Sequence, residues 1–439
     1  MDKSLILKRL GILLAYPLAY LYIRLIFNFT DEFIVDPSMG SDKFLISVAH
    51  PVFALLFIAV NEIVRRGIRG NTRLPKETVF WYTMTFLTGL TAAFGPSMEL
   101  SVFAMHLCAV YSVLVSNDVL LGGKTSGFIP ADLIDGFCVK SFAGFPNFIV
   151  DWQSFKKNDV SADGVPVQKK SKFGAVIFVI VMSVLLIISV SLMASIDSDI
   201  ADFFGDLFRS IENYLSDLNF GDTLYRLMFA IPVCFYTYGL ISRSARSDAQ
   251  KEKRVAAWLN RVMSKGKTAS AMIVYVAAGI FVLAYILFFV KRSAYMMGGF
   301  FGNVPEGTLV SHYAREGFFE LVGIMAVNMC VYLAIILFGK TASGNRFSLP
   351  AKILVTLLMA ESIIFAIVAM SKLGLYYSIY GYTPKRILAM WGTLALGFAA
   401  AVTILTVNRS KPHVRLGILF TAASYVVICI LSGILEAIG

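Results

Sequence analysis

The chain contains 439 residues, of which 57% are hydrophobic and 15% are charged, and its formal net charge is +11. A soluble protein of this composition would expose far more contiguous apolar surface than soluble proteins carry, so a soluble fold is excluded. Most of the basic residues lie in alternate loops between apolar runs. This distribution argues against a nucleic-acid partner and indicates a protein that crosses a lipid bilayer many times.

Eleven apolar runs are long enough to cross a bilayer, because a helical span needs about 20 mostly apolar residues for about 30 Å of hydrocarbon. Numbered in chain order as spans 1 to 11, they cover residues 10–28, 44–63, 78–95, 99–117, 173–195, 223–242, 268–290, 318–338, 350–371, 386–407 and 414–435. They are too long for the strands of a membrane barrel. The sequence therefore predicts an all-α integral membrane protein with about eleven transmembrane helices, within a range of about 10–12.

The loops alternate in charge. Basic residues follow span 2, precede span 5, and fill the connections between spans 6 and 7 and between spans 10 and 11, whereas the intervening loops in the first half are acidic or neutral. Positive loops stay in the cytoplasm, so the N-terminus is predicted to be cytoplasmic and, with eleven spans, the C-terminus to lie outside. Span 1 has the basic start of a signal peptide but no small-residue cleavage site, so we expect an uncleaved span.

Three amphipathic segments are expected to lie on the membrane surface: residues 131–150, 198–218 and 248–265. The first is interrupted by Gly144 and Pro146, and a re-entrant loop is the alternative there. The second has an acidic polar face and is predicted to lie flat on the outer surface. The third is basic and suits the anionic lipids of the inner leaflet, where each basic residue contributes about 1 kcal/mol.

A polar, turn-rich stretch at residues 157–171 is predicted to be a cytoplasmic linker. It separates an N-terminal four-span part, residues 1–156, from a C-terminal seven-span part, residues 172–439. No internal repeat is evident in the sequence, so an inverted-repeat transporter is neither supported nor excluded.

The sequence contains none of the common motifs of phosphate binding or hydrolysis. Each Gly-Lys-Thr triplet lacks the first glycine that a P-loop needs, and neither H-E-x-x-H nor G-x-S-x-G occurs. The five cysteines and four histidines are scattered, without a C-x-x-C pair. Neither a metal site, nor a disulfide framework, nor a cofactor is therefore predicted.

Two polar residues lie deep inside apolar runs. Glu361 is about 18 Å into span 9, close to the bilayer midplane, and Asn328 lies at similar depth in span 8. A short loop joins these spans, so they are expected to be antiparallel neighbours with an Asn328–Glu361 hydrogen bond. Because ionisable groups in hydrocarbon are costly, Glu361 is either the titrating group of a proton or cation site or a protonated acid that bridges two helices.

A charged turn precedes span 8, within residues 313–321. Glu316 and Glu320 are four residues apart and share one helix face, and the adjacent Arg315 can neutralise one of them. If the charge alternation holds, this turn lies at the outer surface.

Residues 375–386, after span 9, are predicted to form an outer loop rich in tyrosine, in which Thr383 caps the next helix and Pro384 is its first residue. Positive residues break the charge rule on this side: Lys291, Arg292, Arg315, Lys372, Lys385 and Arg386. They indicate either a site for an anionic group, or carboxylates paired within the protein, or an interfacial aromatic belt with snorkelling bases.

Both segments resemble a bacterial polytopic membrane family defined by domain of unknown function 4173, with its relative 4153. The family's motif matches Tyr313-Ala314-Arg315-x-Gly317-Phe318-Phe319-Glu320-Leu321, and its later pattern is similar to Leu375-Tyr376, Tyr380-Gly381, Thr383 and Arg386. The chain has Lys372 near the position where an arginine is typical, and Tyr382 where leucine is commoner, so no role is carried over to Lys372. The resemblance covers the C-terminal third to half. It implies the plasma (inner) membrane of a bacterium and names no activity.

Three functions fit these patterns. The first is a transporter or channel-like permease with spans 8–10 as its core. The second is a membrane enzyme acting on a lipid or lipid-linked substrate, with Glu316 or Glu320 as acid or base and arginines binding the headgroup. The third is a non-catalytic sensor or accessory subunit that contacts a protein partner through residues 248–265. The candidate ligand or ion-site residues are Glu361, Asn328, Arg315, Glu316, Glu320, Tyr313, Tyr380 and Arg386, with no catalytic or metal-binding residue assigned.

Overall fold

The computed structural model describes residues 3–27, 40–70, 73–157, 221–302, 309–340, 342–343, 346–409 and 412–438. Nine helices in these ranges are long and apolar enough to cross a membrane, so the predicted all-α polytopic membrane fold is confirmed. The predicted span 173–195 and the surface segment 198–218 lie outside the described residues, as does the linker 157–171 except for its first residue.

In chain order, the helices are α1 (Lys3–Tyr22), α2 (Gly40–Arg69), α3 (Thr78–Thr91), α4 (Met98–Ser116), α5 (Ile129–Ile134), α6 (Ser141–Ala143), α7 (Phe145–Lys157), α8 (Gly221–Arg246), α9 (Ala249–Gly266), α10 (Ala271–Phe301), α11 (Val310–Phe338), α12 (Leu349–Tyr380), α13 (Pro384–Arg409) and α14 (Val414–Ile438). Two π-helical turns, Ile23–Phe27 and Asp135–Lys140, follow α1 and α5. The strands β1 (Ala342–Ser343) and β2 (Arg346–Phe347) form a small antiparallel hairpin between α11 and α12.

The chain divides into two compact units. The first comprises Met1–Met39, Leu56–Thr72 and Gly136–Arg246, and the second comprises Gly40–Leu55, Arg73–Asp135 and Ser247–Gly439. The proposed division at residues 157–171 stays a prediction.

A buried carboxylate with partly exposed cationic partners links the helices of the first unit where α8 packs against α1 and α7. The Asp151 carboxylate of α7 accepts hydrogen bonds from the Tyr238 hydroxyl and the Arg246 guanidinium of α8, at 2.7 and 2.5 Å. Its other oxygen lies 3.1 Å from the Lys8 ammonium of α1. This carboxylate therefore links three helices through its hydrogen-bond and ion-pair partners. A buried charge requires such partners.

In the second unit, α12 packs against α10, α11 and α13, while α14 lies against α13 and α3. The basic helix predicted at residues 248–265 is present as α9, and the Asp248 side chain accepts a hydrogen bond from the Gln250 N–H at its N-terminus. Trp258 and Val262 on its apolar face are 60% and 48% exposed. This leaves an apolar stripe open on α9.

Three helices extend well beyond their predicted spans. α10 continues to Phe301, α11 begins at Val310 and α12 ends at Tyr380, so the predicted loop 375–386 shrinks to the non-helical residues 381–383. The apolar runs stop at charged residues, but the helices continue beyond them, in α10 after a kink at Arg292. Charged residues assigned to loops are therefore inside helices. The start of α13 at Pro384 agrees with the predicted cap.

The third helix is shorter than its predicted span. α3 has 14 residues, which at 1.5 Å per residue is about 21 Å, less than the thickness of the hydrocarbon core. It ends before Pro96, and the Ser97 side chain then accepts a hydrogen bond from the Leu100 N–H to begin α4.

A 43° bend occurs at Gly144, between α6 and α7, where the sequence predicts an interruption. The two arms, Ile129–Ala143 and Phe145–Ser154, together pass the same test of length and composition. They would form a tenth, broken span if they cross the membrane.

Candidate functional site

Helix α12 carries two buried ionisable residues. Glu361 is 7% exposed near the middle of the helix, and Lys372 is 1% exposed in its last third. Eleven residues separate them, which is about 16 Å along the helix axis. Glu361, Ser362 of α12 and Asn328 of α11 form what we name the midplane cluster. Lys372 belongs to a second group on the side predicted to face outward.

In the midplane cluster, Asn328 is fully buried and its Nδ2 donates a hydrogen bond to the Ser362 Oγ at 2.7 Å. The Ser362 hydroxyl donates in turn to the Leu358 carbonyl oxygen at 3.1 Å. The expected hydrogen bond from Asn328 to Glu361 is thus replaced by one to the next residue. One residue turns a helix by about 100°, so Ser362 and Glu361 point in different directions. Tyr285 of α10 is within electrostatic range of the Glu361 carboxyl.

Two oxygens in this cluster lack a hydrogen-bond donor in the described part of the chain. They are Glu361 Oε2 and Asn328 Oδ1, and both are shielded from solvent. Burying a polar group without a partner costs on the order of 1–3 kcal/mol in proteins. Since both atoms are acceptors, a proton, a water molecule or a small cation would satisfy them.

An aromatic layer lies one turn beyond Glu361. Phe365 is fully buried and stacks on Phe289 of α10, with ring centroids 4.7 Å apart. The Tyr285 ring meets Phe365 edge-on at 5.5 Å. Val368 and Ala369 continue this apolar packing toward Lys372. The midplane cluster is therefore separated from Lys372 by packed, apolar side chains.

The Lys372 ammonium lies between two tyrosine rings. Its Nζ is 3.5 Å from the ring centroid of Tyr313 on α11 and 3.9 Å from that of Tyr295 on α10. The Tyr313 hydroxyl donates a 2.5 Å hydrogen bond to the Tyr295 carbonyl oxygen, which holds the rings in place. Within the described ranges, the ammonium has no hydrogen-bond acceptor. We name Lys372, Tyr295, Tyr313 and Gly317 the lysine cage.

Gly317 completes the cage because a side chain there would collide with the lysine. A Cβ at position 317 would lie 2.8 Å from Lys372 Nζ and 3.1 Å from the Tyr295 hydroxyl. Tyr313 and Gly317 are four residues apart, so both point to the same side of α11. Glu320, on the next turn of α11, interacts electrostatically with Lys372. Part of the motif singled out in the sequence therefore encloses a lysine that sequence reasoning did not select.

The remaining candidates of the charged turn are at the surface. Arg315, Glu316 and Glu320 are exposed, on the part of α11 that does not contact the lysine. The Glu316 carboxylate pairs with His312 at 2.8 Å, and both side chains are more than half exposed. An outer vestibule built from these residues stays a prediction.

The Arg386 guanidinium already contacts an aromatic ring and backbone carbonyls at the end of α12. It lies 4.3 Å from the ring centroid of Tyr376, and its Nη1 donates to the carbonyl oxygens of Tyr380 and Gly381. The Tyr380 ring in turn lies 4.8 Å from that of Tyr376. Tyr380 and Arg386 are therefore brought together, but as a cap on the C-terminus of α12.

Across the ranges with described coordinates, no three histidine, cysteine, aspartate or glutamate residues are grouped as metal ligands. The signal that could have identified Lys372 is its position. It is a single basic residue followed by two further helical turns of mostly apolar and aromatic residues. A predicted helix that continued past Lys372 would have placed this residue below the surface.

A search of curated proteins and a search of solved structures found no match to this chain. A family model, "Domain of unknown function (DUF4153)", matches residues 78–434. These residues include the midplane cluster and the lysine cage, while the resemblance to family 4173 stays a prediction. The match covers most of the sequence, and the chain is a multi-pass membrane protein of the DUF4153 family.

Proposed function

We propose that this protein is a proton-coupled permease of a bacterial plasma membrane, with Glu361 as the group that takes up and releases the proton. The observation that carries this proposal is that two buried oxygens, Glu361 Oε2 near the middle of α12 and Asn328 Oδ1 on α11, have no hydrogen-bond donor among the described residues. One proton supplies the missing donor. A bare divalent cation would instead call for about six oxygen ligands, more than these side chains supply. Intramembrane carboxyl groups are typical of proton relays.

The surroundings of Glu361 fit a site at which proton uptake is coupled to transport better than they fit an open pore. The packed rings of Phe365, Phe289 and Tyr285 form an apolar barrier on one side of the carboxyl group. Beyond it, the Lys372 ammonium adds a positive charge that opposes free passage of protons, as fixed positive groups do in water channels. A proton therefore reaches Glu361 from that side only if the helices move, which is the behaviour required of a carrier.

Charge displacement tests the proposal without knowledge of the substrate. The purified protein in liposomes is adsorbed on a solid-supported membrane and exposed to a step in external pH. The wild type should give a transient current as the intramembrane site binds or releases protons. Glu361→Gln should reduce this current to the level of protein-free liposomes, because the amide cannot titrate.

The matched control is Glu436→Gln, which makes the same chemical change at an exposed position near the end of α14. It should leave the transient current unchanged. A Glu361→Gln protein that is folded and keeps the wild-type current would refute the proposal, as would a wild type that moves no charge under either direction of the pH step.

The exposed stripe of α9 supports a contact with the anionic inner leaflet. Val255, Trp258 and Val262 are 37–60% exposed on a helix whose other residues include many lysines and arginines. Replacing anionic lipids by phosphatidylcholine should accelerate backbone hydrogen exchange in α9. Unchanged exchange would leave a protein partner as the alternative occupant of this stripe.

A further inference from the structure

A cleft of about 880 Å³ lies between α10, α12 and α13, apart from both clusters described above. Its volume is typical of a small-molecule site. The lining is almost entirely apolar, and it combines large side chains with the small residues Gly374 and Gly397; the large ones include Phe300, Ile363, Leu394 and Phe398. Ile367 and Leu394 in this lining are 53% and 48% exposed. In a protein that crosses a membrane, such exposure between spanning helices is exposure to acyl chains.

The cleft follows the second half of α12. Along α12 it extends from Ile363, near the middle of the helix, to Ser378, close to its end. Fifteen residues of helix rise about 22 Å, which is more than half the thickness of the hydrocarbon core. These dimensions match one extended chain reaching from the predicted outer surface to the bilayer centre.

The polar side chains in the lining are satisfied by their own helices. Ser371 donates to the Val368 carbonyl, Ser378 to that of Leu375, and Thr393 to that of Ala389, at 2.8–2.9 Å. Each hydroxyl proton is therefore already used. A polar solute would lose its hydration here without gaining donors, so the lining favours an apolar occupant.

A cationic side chain lies on the same face of α13 as this lining. Arg386 precedes Thr393 by seven residues and Gly397 by eleven, close to two and three full helical turns. Both of its hydrogen bonds within the described ranges come from Nη1. Nε and Nη2 make no hydrogen bond within the described ranges, and Arg386 itself lies beyond the residues that line the cleft. An apolar cleft with a guanidinium about two helical turns from its lining is complementary to an anionic amphiphile.

We propose that the cleft binds one acyl chain of an anionic glycerophospholipid, with the lipid phosphate at Arg386. The site does not involve Glu361 or Lys372, so this proposal is independent of proton coupling. It assigns a structural or regulatory lipid to the protein.

The test counts retained lipids. The protein is incorporated into nanodiscs of palmitoyl-oleoyl phosphatidylglycerol and phosphatidylcholine in equal amounts, released into mild detergent, and analysed by native mass spectrometry. The wild type should retain one phosphatidylglycerol molecule. Gly374→Leu should retain one lipid fewer, because a Cβ at position 374 meets no atom within 4 Å and the side chain can extend into the cleft.

The control is Gly323→Leu on α11, where a Cβ also meets no atom within 4 Å but the residue does not line the cleft. It should retain the same lipid as the wild type. Leu394→Trp fills the cleft from α13 and replaces Gly374→Leu if that variant does not fold.

The headgroup is tested separately with Arg386→Gln. Loss of one cation near the membrane surface should lower the preference for phosphatidylglycerol over phosphatidylcholine about fivefold, the equivalent of about 1 kcal/mol. Equal lipid retention by wild type and a folded cleft-filled variant would overturn the proposal. An unchanged lipid preference in Arg386→Gln would overturn it as well, since the phosphate would then be bound elsewhere.

Discussion

Glu361 and Lys372 are both buried in α12, but their surroundings differ in kind. The Glu361 carboxyl group has one oxygen that lacks a donor among the described residues, whereas the Lys372 ammonium lies between two aromatic rings. A carboxyl group satisfies such an oxygen by binding a proton. An aromatic ring instead presents the negative face of its quadrupole to a positive charge. The comparison supports the proposal that Glu361 exchanges a proton, whereas the charge of Lys372 is compensated only in part, by aromatic rings.

The largest effect is expected at the glycine of the lysine cage. Gly317→Leu places a side chain where a Cβ is already 2.8 Å from Lys372 Nζ, so it should lower the free energy of unfolding by about 3 kcal/mol. Thermal unfolding in detergent, followed by tryptophan fluorescence, measures this change. Adding Lys372→Ala should recover more than half of the loss, because it removes the colliding atoms. Gly323→Leu on the same helix is the control, and an equal loss there would contradict the cage.

Removing one ring of the cage should have the next largest effect. Tyr313→Leu takes away a ring face and the hydroxyl that bonds to Tyr295, and it should destabilise the protein by about 2 kcal/mol. Tyr313→Phe keeps the ring and should cost only about 1 kcal/mol. Unfolding midpoints of the two variants separate the contributions. Equal losses of stability in the two variants would mean that the ring face of Tyr313 does not offset the cost of burying the Lys372 ammonium.

Replacing the caged ammonium should stabilise the fold. Lys372→Met retains most of the side-chain volume and removes a charge whose desolvation costs several kcal/mol, more than the roughly 2 kcal/mol that a cation–π contact returns. We expect a gain of about 1 kcal/mol in the same unfolding assay. In this background Tyr313→Leu should cost less than in the wild type. A large destabilisation by Lys372→Met would instead indicate a bound counter-ion.

The smallest change in stability is expected at Glu361. Glu361→Gln is nearly isosteric, and its amide provides donors where Glu361 Oε2 has none among the described residues, so the free energy of unfolding should change by less than about 0.5 kcal/mol. The same unfolding assay measures it. A loss of about 2 kcal/mol or more would support the other interpretation of Glu361, a protonated acid that bridges helices.

Most of the membrane-crossing pattern could be predicted from the sequence, because twenty consecutive apolar residues have few alternatives to a spanning helix. The apolar runs located the cores of α10 to α14 correctly. They failed at the helix ends, where Arg315 and Lys372 were taken as boundaries although the helices continue through them, and where Arg292 marks only a kink within α10. Hydropathy describes the preference of a side chain for water or for lipid, whereas a helix ends where its backbone hydrogen bonds end.

The partners of the buried polar groups were decided by the tertiary structure alone. Asn328 bonds to Ser362 in place of Glu361 because a shift of one residue rotates the contact by about 100°. The lysine cage joins side chains at positions 295, 313 and 372 from three helices, and no sequence spacing relates them. The sequence by itself determined that Glu361 lies deep in a span. How helices rotate and approach one another decided what surrounds it, since that depends on packing along their whole length.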